Sequence, residues 1–106
     1  MDASHVKVNG HCRTNIEGIY AIGDLAGAPW LAHKASHEGA MVAELISGKQ
    51  PHTINKKHIS NCTYSQPEVA SIGITEKQAL DLGINVKIGN FPFIGNGKAV
   101  VLGETD

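Results

Sequence analysis

Asp24 stands at the end of the apolar run Gly18-Ile19-Tyr20-Ala21-Ile22-Gly23, five residues ahead of Pro29-Trp30-Leu31-Ala32-His33-Lys34-Ala35. A lone carboxylate at the end of a buried strand is costly unless it is paired or solvated. In open α/β folds that end of the strand is where ligands sit. An ionised Asp24 there would accept hydrogen bonds from the hydroxyls of a sugar or polyol. It reads equally as an aspartate capping its own turn. Leu31-Ala32-His33 starts a helix, whose first amides lack internal partners and carry partial positive charge. They suit the electron-rich edge of a bound ring, although backbone or water caps such ends in most helices.

Together the two features suit a ligand with hydroxyls at one point and an electron-rich, partly anionic group nearby. A flavin nucleotide is such a ligand. Other chemistry is thin. His33 and His37 share a helical face among six histidines, but the run is HKASH rather than HExxH, with no third ligand, so no metal site is expected. Gly95-Asn96-Gly97 opens like a dinucleotide fingerprint, yet Val100 stands where the third glycine belongs. It is expected to be a hairpin turn between two strands. Cys12 and Cys62 form no CxxC pair and read as free thiols, with a disulfide between them left open by sequence alone. No phosphate-binding loop, nucleophile elbow or nucleophile–base pair is present, and no catalytic residue is assigned.

The elements that must position these residues follow from periodicity. Residues 5–9 alternate as a half-exposed strand, and 19–22 read as a strand buried on both faces. A helix over 31–46 carries a face of Leu31, Ala35, Gly39, Val42 and Ile46, with a small-residue stripe at Ala35, Gly39 and Ala43. Ser47-Gly48 ends it. Residues 50–61 are polar and aperiodic and mark a domain boundary. Pro67 confines its surroundings to a loop or edge, before a strand over 69–72. Thr75-Glu76-Lys77-Gln78 is a capping box for a helix ending at Gly83. Strands over 86–93 and 99–102 are expected to close a hairpin.

Composition narrows the class. The chain has 106 residues, 42% hydrophobic and 18% charged, with a formal net charge of −1. No basic run points to nucleic acid. The longest apolar stretches are strand-sized, so neither a membrane span nor a signal segment is read. Soluble, cytoplasmic residence is the expectation.

Thr14, Tyr20-Ala21-Ile22-Gly23-Asp24, Pro29 to Ala35 and Glu38-Gly39 closely resemble the dihydrolipoyl dehydrogenases, within the flavoprotein disulfide reductases (pyridine nucleotide-disulfide oxidoreductases). The AIGD segment is shared across that superfamily, whereas the LAHKA…EG continuation is more specific to the lipoamide branch. Tyr64 to Gly73 and Gly89-Asn90-Phe91-Pro92-Phe93 resemble the opening of the family's interface domain. The resemblance covers essentially the whole chain. It implies an α/β fold: residues 1–50 as the end of a Rossmann-like FAD-binding domain, 51–61 as a linker, and 62–106 as the start of an α+β dimerisation domain. It implies that Asp24 binds the ribityl hydroxyls of FAD and that backbone groups of Trp30, Leu31, Ala32 and His33 flank the flavin's pyrimidine edge. NAD would be the co-substrate. The implied partners are a second subunit and the lipoyl domains of 2-oxo acid dehydrogenase complexes, in a bacterial cytoplasm or a mitochondrial matrix.

The family's FAD and NAD GxGxxG loops, its redox cysteine pair and its His–Glu catalytic pair are all absent from these residues. The chain is therefore expected to be an internal fragment and inactive in isolation. Two alternatives stand beside this reading. One is a sister reductase of glutathione or mercuric type, against which the LAHKA segment argues. The other is a non-catalytic remnant that binds flavin weakly or serves in folding or pairing.

Overall fold

The computed structural model describes residues 4–105, so the outermost residues of the two expected domains lie outside it. The described chain forms two compact units, one ending at Gly73 and the other beginning at Ile74.

In the first unit, residues 12–14 and 19–21 run antiparallel. The Ala21 amide donates to the Cys12 carbonyl at 3.0 Å and the Thr14 amide to Ile19 at 3.1 Å, with a single bridge between Arg13 and Tyr20. The Thr14 hydroxyl donates to the carbonyls of Ile16 and Ile19 and closes the intervening turn. The Arg13 guanidinium lies 5.8 Å from the centroid of the Tyr20 ring. The strand expected over 19–22, buried on both faces, is thus corrected. Ile19 is 53% and Ile22 39% exposed, while Ala21 is buried. An apolar run is buried on both faces only where layers cover both sides, and among the described residues it has one antiparallel neighbour. Residues 5–9 likewise form no named strand; the Val6 amide donates to Leu25 at 2.8 Å.

Helix α1 spans Ala32–Ile46, one residue inside the expected start. Its deepest positions are Lys34, Glu38 and Met41 rather than the expected apolar face. Ala35, Gly39 and Val42 are half-buried and Ile46 is exposed. The helix closes as expected at Gly48, where the Gly48 amide returns to Leu45 and the Lys49 amide to Glu44, a Schellman motif. Beyond it, a 3₁₀ turn at Lys56–His58 starts with the Asn55 side chain accepting from the Lys57 amide. Strands β1 (Asn61–Thr63) and β2 (Val69–Ser71) pair antiparallel with Cys62 opposite Ala70. Pro67 sits in the bend between them, where a residue without an amide proton disturbs no ladder.

In the second unit, α2 spans Glu76–Asp81 and begins with the expected capping box. The Thr75 hydroxyl accepts from the Gln78 amide at 3.2 Å, and the Gln78 side chain accepts from the Thr75 amide at 2.9 Å. Gly83 and Ile84 close the helix by the same Schellman bonds. The expected hairpin is corrected. Residues 86–92 form no strand, Phe93–Gly95 is a 3₁₀ turn, and Gly97–Leu102 is a helix, α3. The Asn96 side chain accepts from the Lys98 and Ala99 amides, and Gly103 adopts φ 73° at the far end. These two caps fix a helix on a segment whose Val100 and Val101 favour strand. Among the described residues of this unit, Ala79 and Ala99 are the buried ones.

Candidate functional site

Asp24 lies in a 3₁₀ turn, Gly23–Ala26, that follows the paired segment. Gly23 adopts φ 66°, and a Cβ there would come within 3.2 Å of the Ala35 Cβ. Glycine is required twice over, for the left-handed backbone and for close approach to the small stripe of α1. Gly39 serves the same stripe, facing the Ile22 side chain.

The Asp24 side chain is exposed. Its backbone carbonyl accepts from the Gly27 amide at 3.1 Å, and Ile22, at the N-cap, offers no side-chain cap. Among the described residues its carboxylate takes no hydrogen bond or ion pair. The aspartate therefore does not cap its own turn.

That work falls to Lys34 and Glu38, one turn apart on α1. Lys34 is 1% exposed. Its Nζ donates to the carbonyls of Gly23 at 2.9 Å and Gly27 at 2.7 Å, and lies 3.3 Å from Glu38 Oε1. Glu38 Oε2 accepts from the Gly23 amide at 2.7 Å. The three ammonium protons are thereby satisfied, and each buried charge has its counter-charge, the condition under which such burial is tolerated. Sequence reasoning quoted both residues as motif positions without assigning them this task. Their i,i+4 spacing was the available signal.

The remaining candidates gather at the start of α1. Trp30 is 70% exposed. Leu31 is the N-cap and offers no side-chain cap. The first backbone bond of the helix runs from the Ala35 amide to Leu31 at 3.1 Å, so the amides of Ala32, His33 and Lys34 have no partner inside the helix. Ala32 and His33 are exposed, and the His33 ring Nε2 meets the Ser60 carbonyl at 2.8 Å. The geometry thus brings the Asp24 turn and the amide end of α1 to one helix, with Trp30 on the segment between them. A cleft of about 460 Å³ lined by His33, His37, Glu44, His52 and His58 does not include Asp24. Among the described residues, no three His, Cys, Asp or Glu side chains are grouped to hold a metal ion. Both cysteines are free, Cys12 buried and Cys62 exposed.

The family model for the pyridine nucleotide-disulphide oxidoreductases matches residues 1–39, and that for their dimerisation domain matches residues 59–106. The chain belongs to the pyridine nucleotide-disulphide oxidoreductase family. It is 54% identical to the dihydrolipoyl dehydrogenase of Zymomonas mobilis over all of its own length and 23% of that protein's. Against a dihydrolipoyl dehydrogenase of Bacillus subtilis it is 50% identical over 95% of this chain and 21% of the relative. It therefore spans under a quarter of the length of these relatives. Among solved structures, LpdA of Mycobacterium tuberculosis matches 95% of the chain with a TM-score of 0.84 at 23% identity, over 22% of its own length. The HOCl-induced flavoprotein disulfide reductase RclA of Escherichia coli matches 99% with a TM-score of 0.82 at 20% identity, over 24% of its own length. The likeness to these two structures identifies the fold, that of a flavoprotein disulfide reductase.

Proposed function

We propose that this chain supplies the flavin-facing edge of a dihydrolipoyl dehydrogenase, which oxidises protein-bound dihydrolipoamide to lipoamide while reducing NAD⁺ to NADH with release of a proton. Bound FAD supplies the two-electron transfer between the dithiol and the nicotinamide. The residues present fit that group in two respects. Asp24 offers an exposed carboxylate without a partner among the described residues, suited to ribityl hydroxyls. The start of α1 carries no side-chain cap and no acidic residue in its first turn, so its amides are open to an electron-rich ring edge. Asp24 would accept hydrogen bonds from the ribityl hydroxyls, and the backbone of Trp30, Leu31, Ala32 and His33 would orient the pyrimidine side. The observation that carries the reading is the unpartnered Asp24 carboxylate in a chain half identical to dihydrolipoyl dehydrogenases.

In this reading residues 1–50 end the FAD-binding domain, 51–61 link, and 62–106 begin the interface domain through which two subunits pair; the family-model matches support it. Lipoyl domains are the partners that deliver substrate. No helix of the described residues is long and apolar enough to cross a membrane, which agrees with residence in a bacterial cytoplasm or a mitochondrial matrix.

A chimera tests the proposal: this chain replaces the matching segment of the Zymomonas mobilis relative. The chimera should oxidise dihydrolipoamide with NAD⁺, while the 106-residue chain alone shows no activity above background. Asp24→Asn in the chimera should weaken FAD retention about tenfold, the effect of losing one charge-assisted hydrogen bond. An inactive chimera that keeps its flavin would contradict the reading.

A further inference from the structure

We infer that the buried Lys34–Glu38 pair is a positioning device. It meets the hydrogen-bonding needs of the Gly23–Ala26 turn from outside, and so leaves the Asp24 carboxylate free for a ligand polyol. The functional half of this statement rests on the flavin reading above; the geometric half stands alone.

An aspartate in the first turn after a strand ordinarily bonds to nearby backbone amides and fixes the turn itself. Such a carboxylate would have part of its acceptor capacity spent before any ligand arrived. Here the Gly23 amide is already taken, at 2.7 Å, by Glu38. The Gly23 and Gly27 carbonyls, which bracket Asp24 in sequence, are held at 2.9 and 2.7 Å by Lys34. The Gly27 amide goes to the Asp24 backbone carbonyl rather than to its side chain. The turn is therefore specified without the side chain it presents.

The charges also matter. Two hydrogen bonds from Lys34 to backbone carbonyls and its 3.3 Å approach to Glu38 leave the pair locally neutral. Asp24 therefore meets no spare ammonium that would compete with hydroxyls for its oxygens. Lys34 and Glu38 are positioning residues and touch no ligand themselves.

Amide hydrogen exchange on the 106-residue chain tests this, combined with riboflavin titration followed by amide shifts. Riboflavin carries the ribityl hydroxyls and the ring without phosphate. In the unsubstituted chain the Gly23 amide should exchange at least about tenfold more slowly than the Asp24 amide, which precedes the first internal bond of the turn. Glu38→Ala should abolish that protection and cut the riboflavin response at residue 24 at least threefold, while the amides of Val42 and Ala43 in α1 stay protected. Glu38→Gln keeps an acceptor in place and should restore both. Gly23 protection unchanged in Glu38→Ala overturns the inference, as does a joint loss at Gly23 and α1 in both variants, which would mark the pair as a folding element only. The flavin reading fails separately. It fails if Asp24→Asn leaves the riboflavin response intact or if the unsubstituted chain shows none, and the Gly23 result then decides the geometric half.

Discussion

Cys12 shows how closely the environment of a single side chain is set in this chain. It is 4% exposed, and its backbone lies at φ 61°. Burial pushes its thiol above the ordinary range; the Glu38 carboxylate adds to this, and Lys34 and Lys56 oppose it. The folded chain thus holds this proton more tightly than the unfolded one. The stability it contributes is fully present below the ordinary thiol pKa and is lost as pH rises through the folded value. At about pH 7.5, iodoacetamide should label exposed Cys62 at least tenfold faster than Cys12, because the thiolate is the reactive form. Mass spectrometry of the two peptides reads the ratio, and equal rates would contradict the burial. Asp24 was legible at this scale because a carboxylate after an apolar run is conspicuous. The task of Lys34 was not. A lysine four residues before a glutamate is ordinary surface spacing, and nothing local announces that a turn's carbonyls will close over it.

Among the elements, capping chemistry decides what forms. All three α-helices end in the same Schellman pattern, at Gly48, Gly83 and Gly103. Two of those ends were readable in advance because a helical period preceded the glycine. The third was hidden behind Val100 and Val101, whose β-branching argued for a strand. Asn96 at one end and Gly103 at the other outweigh that preference over a helix of six residues. A strand over 86–93 would need a partner, and the residues meant to supply it are coiled into α3. Such short helices are marginal by themselves, so their caps carry an unusual share of the stability. Thr75→Ala should cost about 1 kcal/mol. Helical Cα shifts over residues 76–81 should collapse towards coil while those of α1 persist; an intact α2 would show that its packing suffices.

For the whole molecule, the balance between covered and uncovered apolar surface is the salient quantity. Tyr64 is 88% exposed, Val101 85% and Phe91 74%, alongside Ile72, Ile88 and Ile94 at about two-thirds. Extensive apolar exposure favours association. Sedimentation velocity between about 10 and 500 µM should show species growing with concentration. A monomer unchanged across that range would mean these side chains are covered in solution. The α/β class and the membership in a disulfide reductase family were legible because the AIGD and LAHKA segments are dense in specific residues. The local strand assignments were not, because a strand is defined by its neighbours, and those neighbours are not written in its own residues.

The i,i+4 placement of Lys34 and Glu38 makes the Asp24 turn conditional on a formed helix. When the first turns of α1 unwind, both side chains leave together and the turn loses its amide and carbonyl partners at once. Site formation then requires the helix to be formed. A ligand that binds only the closed turn stabilises the helix by RT ln(1 + [L]/Kd). Its concentration would be readable as protection of α1 amides several residues from any atom it touches.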